Sequence, residues 1–320
     1  MSAGCVIGVD LGGTKLLAGV VDAELNVHHR VFRHAREGKS PDRLLDILVA
    51  AVDEAREAAG GEVRAVGFGV PSLVDPATGV ANTTVHLPLR DVPLRDVMAE
   101  RLGIPVAVEN DANAAMLAEH RHGAAVGASC AALLTLGTGI GGGIIVDDRL
   151  VRGAHGGAGE WGHMVIQADG PLCTCGNRGC LEMLVSGSAL GRAAAAAAEA
   201  RPDCGFGRAA AAGREITGML ATELAHDGDP VARDVVARIG HYLGVGLANV
   251  VNVLNPEVIV VGGGVIAAGE LLLAPARSVV AERALAPSRD QVRIVPTRFG
   301  DASGMIGAAI LAMDLVGVGA

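Results

Sequence analysis

Short apolar runs separated by glycine turns make up most of the chain, and their lengths sort them into strands and helices. Residues 5–10 and 16–22 are apolar runs joined by Leu-Gly-Gly-Thr-Lys, which predicts two strands around a tight turn. A third strand is predicted over 27–32. Leu44, Leu45, Leu48, Val49 and Val52 recur at helical spacing, so 42–59 reads as a helix opened by Pro41 and closed by Gly60 and Gly61. Residues 63–70 read as a buried strand. The stretch 71–94 carries turn signals and reads as irregular, and a helix over 96–102 leads to a strand over 105–108.

A second copy of the opening pattern follows. Gly8 to Asp22 and Leu133 to Asp147 both run strand, glycine-threonine turn, strand, and both end in Val-Asp. Two copies at this separation indicate duplicated domains, and two similar lobes imply a cleft between them. Helices are predicted at 188–200, 214–225 and 230–254, with the alanine tract 193–198 inside the first. A strand at 258–261 runs into Gly262, Gly263 and Gly264, which should open a further helix. The chain closes with a strand at 292–296 and a helix at 303–316.

Composition narrows the architecture. A chain of 320 residues can hold two domains, and with half its residues hydrophobic, only 2% aromatic and 46 glycines, its cores must be aliphatic side chains packed close to backbone. That favours α/β layering. The net charge of −9 argues against nucleic acid or an anionic membrane as partner. Residues 123–146 lack any charge, yet seven of them are glycine, so a buried strand pair explains them better than a membrane span. With no basic-then-apolar leader after Met1, and with clustered thiols that suit a reducing compartment, the expected location is the cytoplasm.

Candidate chemistry concentrates between Gly153 and Glu182. His163, Cys173, Cys175 and Cys180 supply one imidazole and three thiols, a full tetrahedral set for zinc. Gly176 and Gly179 lie within this loop, where sulfurs converging on one ion demand a tight backbone. Since protein fills all four positions, such an ion is structural, and its job is to hold Glu160 and Glu182. One ring nitrogen of His163 would face the metal and leave the other as a fixed donor beside two acceptors, an arrangement suited to a ligand rich in hydroxyls. Elsewhere, the turns Gly12-Gly13-Thr14-Lys15 and Gly137-Thr138-Gly139 offer backbone N–H groups to phosphate, as does the Gly262-Gly263-Gly264 cluster. Neither the dinucleotide fingerprint nor a Walker-type loop occurs, so a nucleotide site of another architecture is indicated, with the glycine turns set apart from the metal loop. Asp111 opens a helical pattern, where it could serve as cap or as base; Asn110 could take the cap and leave Asp111 for chemistry.

The motifs Asp10-Leu-Gly-Gly-Thr-Lys15, Glu109-Asn-Asp-Ala-Asn-Ala-Ala115, Leu136-Gly-Thr-Gly-Ile-Gly-Gly-Gly143, Gly159-Glu-Trp-Gly-His163, Cys173-Thr-Cys-Gly-Asn-Arg-Gly-Cys-Leu-Glu182 and Val261-Gly-Gly-Gly-Val-Ile266 resemble the ROK family of sugar kinases and sugar-responsive repressors. Within it the chain is most similar to the bacterial ATP-dependent glucokinases. The resemblance spans nearly the whole chain, and the histidine-cysteine motif is specific to that family. It implies a two-lobed, actin-like (hexokinase-type) α/β fold with duplicated domains and an interlobe cleft. The small domain is expected at 1–117 plus 304–320, and the large domain, carrying the zinc motif, at 118–303. The resemblance further implies Asp111 as the base for the sugar hydroxyl, with Asn110, Glu160, His163 and Glu182 as sugar ligands. Asp10 is similar to the residue that organises Mg2+ with ATP, and Thr14, Lys15 and Thr138 would lie near phosphate. One position departs: where the family has Trp-x-Asn-x-Pro-Leu, this chain has Asp91 in place of the asparagine, and a carboxylate cannot donate as an amide does.

The leading expectation is transfer of the ATP γ-phosphoryl group to a hexose, glucose first, with mannose or an N-acetylated hexosamine as alternative acceptors. A sugar-sensing repressor would need a DNA-binding domain, and nothing before Val6 supplies one. A non-catalytic sugar binder would have no use for Asp10, Asp111 and two phosphate turns. The resemblance also implies a homodimer or homotetramer.

Overall fold

The computed structural model describes residues 4–84 and 87–318. In chain order it runs β1 (Cys5–Leu11), β2 (Lys15–Val21), β3 (Val27–His34), α1 (Pro41–Ala58), β4 (Val63–Val70), β5 (Ala81–Thr83), β6 (Arg90–Val92), α2 (Leu94–Leu102), β7 (Val106–Asn110) and α3 (Asp111–His122). Then follow β8 (Cys130–Leu136), β9 (Ile140–Val146), β10 (Arg149–Leu150), α4 (Leu181–Val185), α5 (Gly187–Ala200), α6 (Gly205–Ala211), α7 (Gly218–His226), α8 (Pro230–Leu254), β11 (Val258–Gly262), α9 (Glu270–Arg283), α10 (Ser288–Gln291), β12 (Arg293–Pro296) and α11 (Ser303–Val316). The chain forms two compact units: Met1–Val126 with Arg149–Gly159 and Ala302–Ala320, and Gly127–Asp148 with Glu160–Asp301.

The duplication is visible in the sheets. One five-stranded sheet has the order β3-β2-β1-β4-β7 and the other β10-β9-β8-β11-β12. In both, an antiparallel hairpin is followed by two parallel strands added beside its first strand. The strands at the centre are buried on both faces, which is why they read as continuous apolar runs. In the first unit α1 covers one face through Leu44, Leu45, Leu48 and Val52. On the other, α11 approaches so closely that a Cβ at Gly67 of β4 would lie 1.8 Å from the Ala308 carbonyl oxygen. Only glycine permits that contact.

Three local expectations change. Residues 71–94 are not wholly irregular, since β5 and β6 pair as a small antiparallel ribbon. The helix expected from 214 starts at Gly218, where Thr217 Oγ1 accepts from the Leu220 N–H at 3.2 Å, and the separate helix α6 precedes it. The triple glycine does not open an α-helix. Gly263 (φ 81°) leads into a single 3-10 stretch, Gly264–Ala268, and Gly269 (φ 57°) resets the chain before α9, because positive φ interrupts right-handed helix. Among the described residues, no helix is long and apolar enough to cross a membrane.

Candidate active site and metal centre

In the first unit the parallel strands β1, β4 and β7 bring their carboxyl ends to one sheet edge. The register aligns Asp10 with Gly69 and Gly69 with Glu109. Asp10, the turn Gly12 to Lys15, Asn110 and Asp111 therefore share that edge, the usual ligand-binding end of such sheets. Asn110 takes the helix cap. Its Oδ1 accepts from the Ala112 and Asn113 N–H groups at 3.0 and 3.1 Å, and its Nδ2 donates to the Ser72 carbonyl at 3.3 Å. Asp111, the first residue of α3, is thus not needed as a cap. Half-buried, it keeps one oxygen 2.8 Å from the Ala112 amide at the N-terminal end of the helix. Asp10 is also half-buried, and a Cβ at Gly304 of α11 would lie 2.7 Å from its carboxyl. Asp91 is exposed on the β5–β6 ribbon with φ 52°, a left-handed conformation that asparagine and aspartate tolerate better than other side chains.

The base of α3 rests on two residues to which the sequence reading gave no role. Glu109, 5% exposed, accepts from Arg152 Nε at 2.5 Å, from the Asn110 N–H at 3.0 Å and from Asn113 Nδ2 at 3.1 Å. The signal for Glu109 lay inside the Glu-Asn-Asp motif. Nothing local marked Arg152.

In the second unit the turn Gly137-Thr138-Gly139 closes on itself with a Gly137 N–H to Gly139 carbonyl bond of 2.9 Å, matching the Gly12 to Lys15 bond of 2.8 Å in the first unit. Gly187 donates to the Gly137 carbonyl at 2.8 Å, and Ser188 Oγ donates to the Thr138 carbonyl at 2.9 Å. Glu182 Oε2 accepts from the Ile140 N–H at 2.9 Å, and a Cβ at Gly139 would meet that oxygen at 2.3 Å. Gly263 packs against the end of β8, where a Cβ would lie 2.6 Å from the Leu136 backbone. The Gly137 turn, the start of α5 and the triple glycine are thereby drawn together. This corrects one expectation: the second glycine turn is not set apart from the metal loop, because Glu182, two residues after Cys180, holds it.

The metal loop is compact. The ligand atoms of His163, Cys173, Cys175 and Cys180 all lie within 4.8 Å of one another. Cys175 and Cys180 Sγ are 3.7 Å apart, and Cys173 Sγ is 3.8 Å from His163 Nδ1. A tetrahedron with metal–sulfur bonds of about 2.3 Å has edges of about 3.8 Å, so the four donors fit one such cation. It is Nδ1 of His163 that faces the sulfurs, which leaves Nε2 on the outer side of the ring. Gly176 and Gly179 adopt φ of 93° and 71°, as the tight loop requires. The Asn177 N–H lowers the exposed Cys175 thiol to about 7, while burial and the neighbouring thiols push Cys180 up to about 12. Solvent favours the charge on Cys175, and a buried sulfur beside it resists a second one. A bound cation reverses that preference and holds all the sulfurs as thiolates.

Glu160 opens the 3-10 turn that carries His163. Although the residue as a whole is exposed, desolvation raises its pKa above the ordinary carboxylate value; His163 opposes this shift and Glu182 adds to it. Glu160 thus lies within electrostatic reach of both His163 and Glu182.

A model of the ROK family matches residues 6–315. The chain belongs to the ROK family. This ROK chain is 37% identical over 319 residues to a glucokinase of Streptomyces coelicolor, an alignment covering 97% of this chain and 98% of that one. Its fold superposes with a TM-score of 0.88 on the crystal structure of a ROK family glucokinase from Streptomyces griseus in complex with glucose and AMPPNP, at 38% identity over 97% of this chain and all of that one. A ROK hexokinase from Thermus thermophilus is 35% identical with a TM-score of 0.76, covering 98% of this chain and 99% of that one. These neighbours carry the two-lobed, actin-like sugar-kinase fold. The chain is a sugar kinase of that fold.

Proposed function

We propose that this ROK chain phosphorylates glucose, moving the γ-phosphoryl group of ATP to the primary hydroxyl. The observation that carries the reading is near-complete alignment at 37% identity with a glucokinase and at 38% with a glucokinase structure holding glucose and AMPPNP. In the transfer the sugar oxygen forms a bond to the γ-phosphorus, the bond from that phosphorus to the β-bridging oxygen breaks, and the hydroxyl proton passes to Asp111. The transition state is loose, so a carboxylate of ordinary basicity suffices if it orients the hydroxyl and accepts its proton late. The 2.8 Å bond from the Ala112 amide supports this role by fixing one oxygen of Asp111.

Asn110, Glu160, His163 and Glu182 bind sugar hydroxyls, with Asp91 a further sugar contact. His163 Nε2 donates while the carboxylates accept. Gly12, Gly13, Thr14, Lys15, Gly137, Thr138, Gly139, Gly262, Gly263 and Gly264 receive ATP phosphates and the nucleotide. Asp10 is the residue that would hold Mg2+, which neutralises phosphate charge when bound with ATP. The four-donor site takes Zn2+ as a structural ion, a reading supported by the sulfur spacing and the donor chemistry. Thiolates kept for a metal suit the cytoplasm.

Release of ADP from the purified protein, measured by a coupled assay with glucose, mannose, N-acetylglucosamine and N-acetylmannosamine, tests the reading. Glucose should give the highest kcat/KM. Absence of ATP-dependent turnover with every hexose would overturn it.

A further inference from the structure

Resting on that reading of Asp111, we propose that Arg152 is a positioning residue for phosphoryl transfer, acting through Glu109 on the first turn of α3. The two residues are 43 positions apart in sequence and meet within the first unit. Arg152 leaves β10 on a segment folded back on itself, with the Ala158 N–H donating to the Arg152 carbonyl at 3.1 Å. That segment is seated on the loop after β4, since a Cβ at Gly156 would lie 2.1 Å from the Val74 carbonyl oxygen. The guanidinium is consequently delivered from a fixed backbone.

What it meets is a carboxylate whose side chain is 6% exposed. Glu109 divides its two oxygens. Oε2 takes the Arg152 Nε–H, and Oε1 takes the Asn110 N–H together with the Asn113 side-chain amide. Those two donors bracket Asp111, one residue before it and two after. Asn113 depends on this partner, because its buried Oδ1 has none among the described residues. Glu109 therefore clips the strand end to the helix start that presents Asp111, and Arg152 supplies the cation without which a carboxylate this buried would be uncompensated. Left alone, Glu109 must recruit water or swing outward, and either outcome disturbs the hydrogen bonds on either side of Asp111. Arg152 touches no reacting atom in this account. Its contribution is the aim of the base.

The test uses the full-length enzyme. Arg152→Met keeps chain length and apolar bulk but removes the charge, and should lower kcat by about 10- to 100-fold, the scale of a base displaced by a fraction of an ångström to an ångström, with KM for ATP within about threefold of wild type. Arg152→Lys should restore part of the loss. The double variant Glu109→Gln/Arg152→Met should bring kcat back to within about fivefold of wild type, because a neutral amide still accepts from Asn110 and needs no cation. A purely structural role predicts a lower melting temperature with unchanged kcat per folded molecule. Arg152→Met with kcat within threefold of wild type overturns the proposal, as does a double variant no better than the single one. Asp111→Asn measured alongside separates the two readings: if it stays active the base assignment fails, whereas if it is inactive while Arg152→Met is not, only the positioning role falls.

Discussion

Replacing Cys175 by alanine separates the metal's role from packing, because Cys175 is the exposed member of the ligand set and its loss opens no core cavity. Cys173 and Cys180 are buried. Without a fourth donor the ion should be lost, and the two ends of the loop, His163 and Cys173 to Cys180, should come apart where only the metal joins them. The backbone keeps some order, since the Leu181 N–H still reaches the Met164 carbonyl at 2.8 Å and the Cys173 N–H the Asn177 carbonyl at 2.7 Å. Glu160, His163 and Glu182 then lose their preset geometry. Hydrogen bonds to charged groups are worth about 1.5–3 kcal/mol each and neutral ones about 1 kcal/mol, so partial loss of three should cost about 2–4 kcal/mol, or roughly 30- to 1,000-fold in glucose affinity. Nucleotide affinity should fall less, by about tenfold at most, because only the Glu182 bond to the Ile140 amide is at risk while Gly187 and Ser188 still hold the turn. The cores of both units do not depend on the ion, so melting should shift by a few degrees rather than collapse, unlike a zinc finger. Metal analysis should give one zinc per wild-type chain and none in the variant, and calorimetry would report glucose and a non-hydrolysable ATP analogue separately. A variant that lost its zinc yet bound glucose within threefold of wild type would refute the organising role of the metal.

Gly304→Ala places a methyl 2.7 Å from the Asp10 carboxyl, forcing it to turn; Mg2+ half-saturation should rise and kcat fall by about tenfold, in a steady-state Mg2+ titration. Asp91→Asn should fold as well as wild type, since its φ of 52° suits asparagine, and should shift the ratio of kcat/KM between glucose and mannose; an unchanged ratio would remove Asp91 from the sugar site. Glu257 has its pKa held below the ordinary value by the Ser129 hydroxyl and the Ser129 and Cys130 amides. A carboxylate depressed in the folded state stabilises above its unfolded pKa and loses that contribution as pH falls through the folded one. The difference in melting temperature between wild type and Glu257→Gln should therefore be full at pH 7 and shrink below about pH 4. A difference that stayed constant to pH 3 would contradict the linkage.

The sequence was most readable where local pattern and tertiary role coincide. The hairpins β1–β2 and β8–β9 are apolar runs around glycine turns, and because their strands are buried on both faces the repeat could be recognised without alignment to anything else. Asn110 as cap and the positive φ of Gly176 and Gly179 follow from chemistry confined to a few neighbours. The triple glycine misled because glycine serves either a helix start or a positive-φ break, and only the contact of Gly263 with the end of β8 decides which. Ser188 on Thr138 and Arg152 on Glu109 could not be read at all. They join residues 50 and 43 positions apart through single side chains, and no periodicity or composition marks such pairs.

The most direct test of the account is turnover by Asp111→Asn with glucose and ATP, measured by ADP release beside calorimetric glucose binding. The asparagine keeps the size and shape of the side chain but cannot take the hydroxyl proton, so kcat should fall by about 10²- to 10⁴-fold while glucose still binds and melting is unchanged. Turnover within a few-fold of wild type would show that Asp111 is not the base and that the chemistry assigned to this site is wrong.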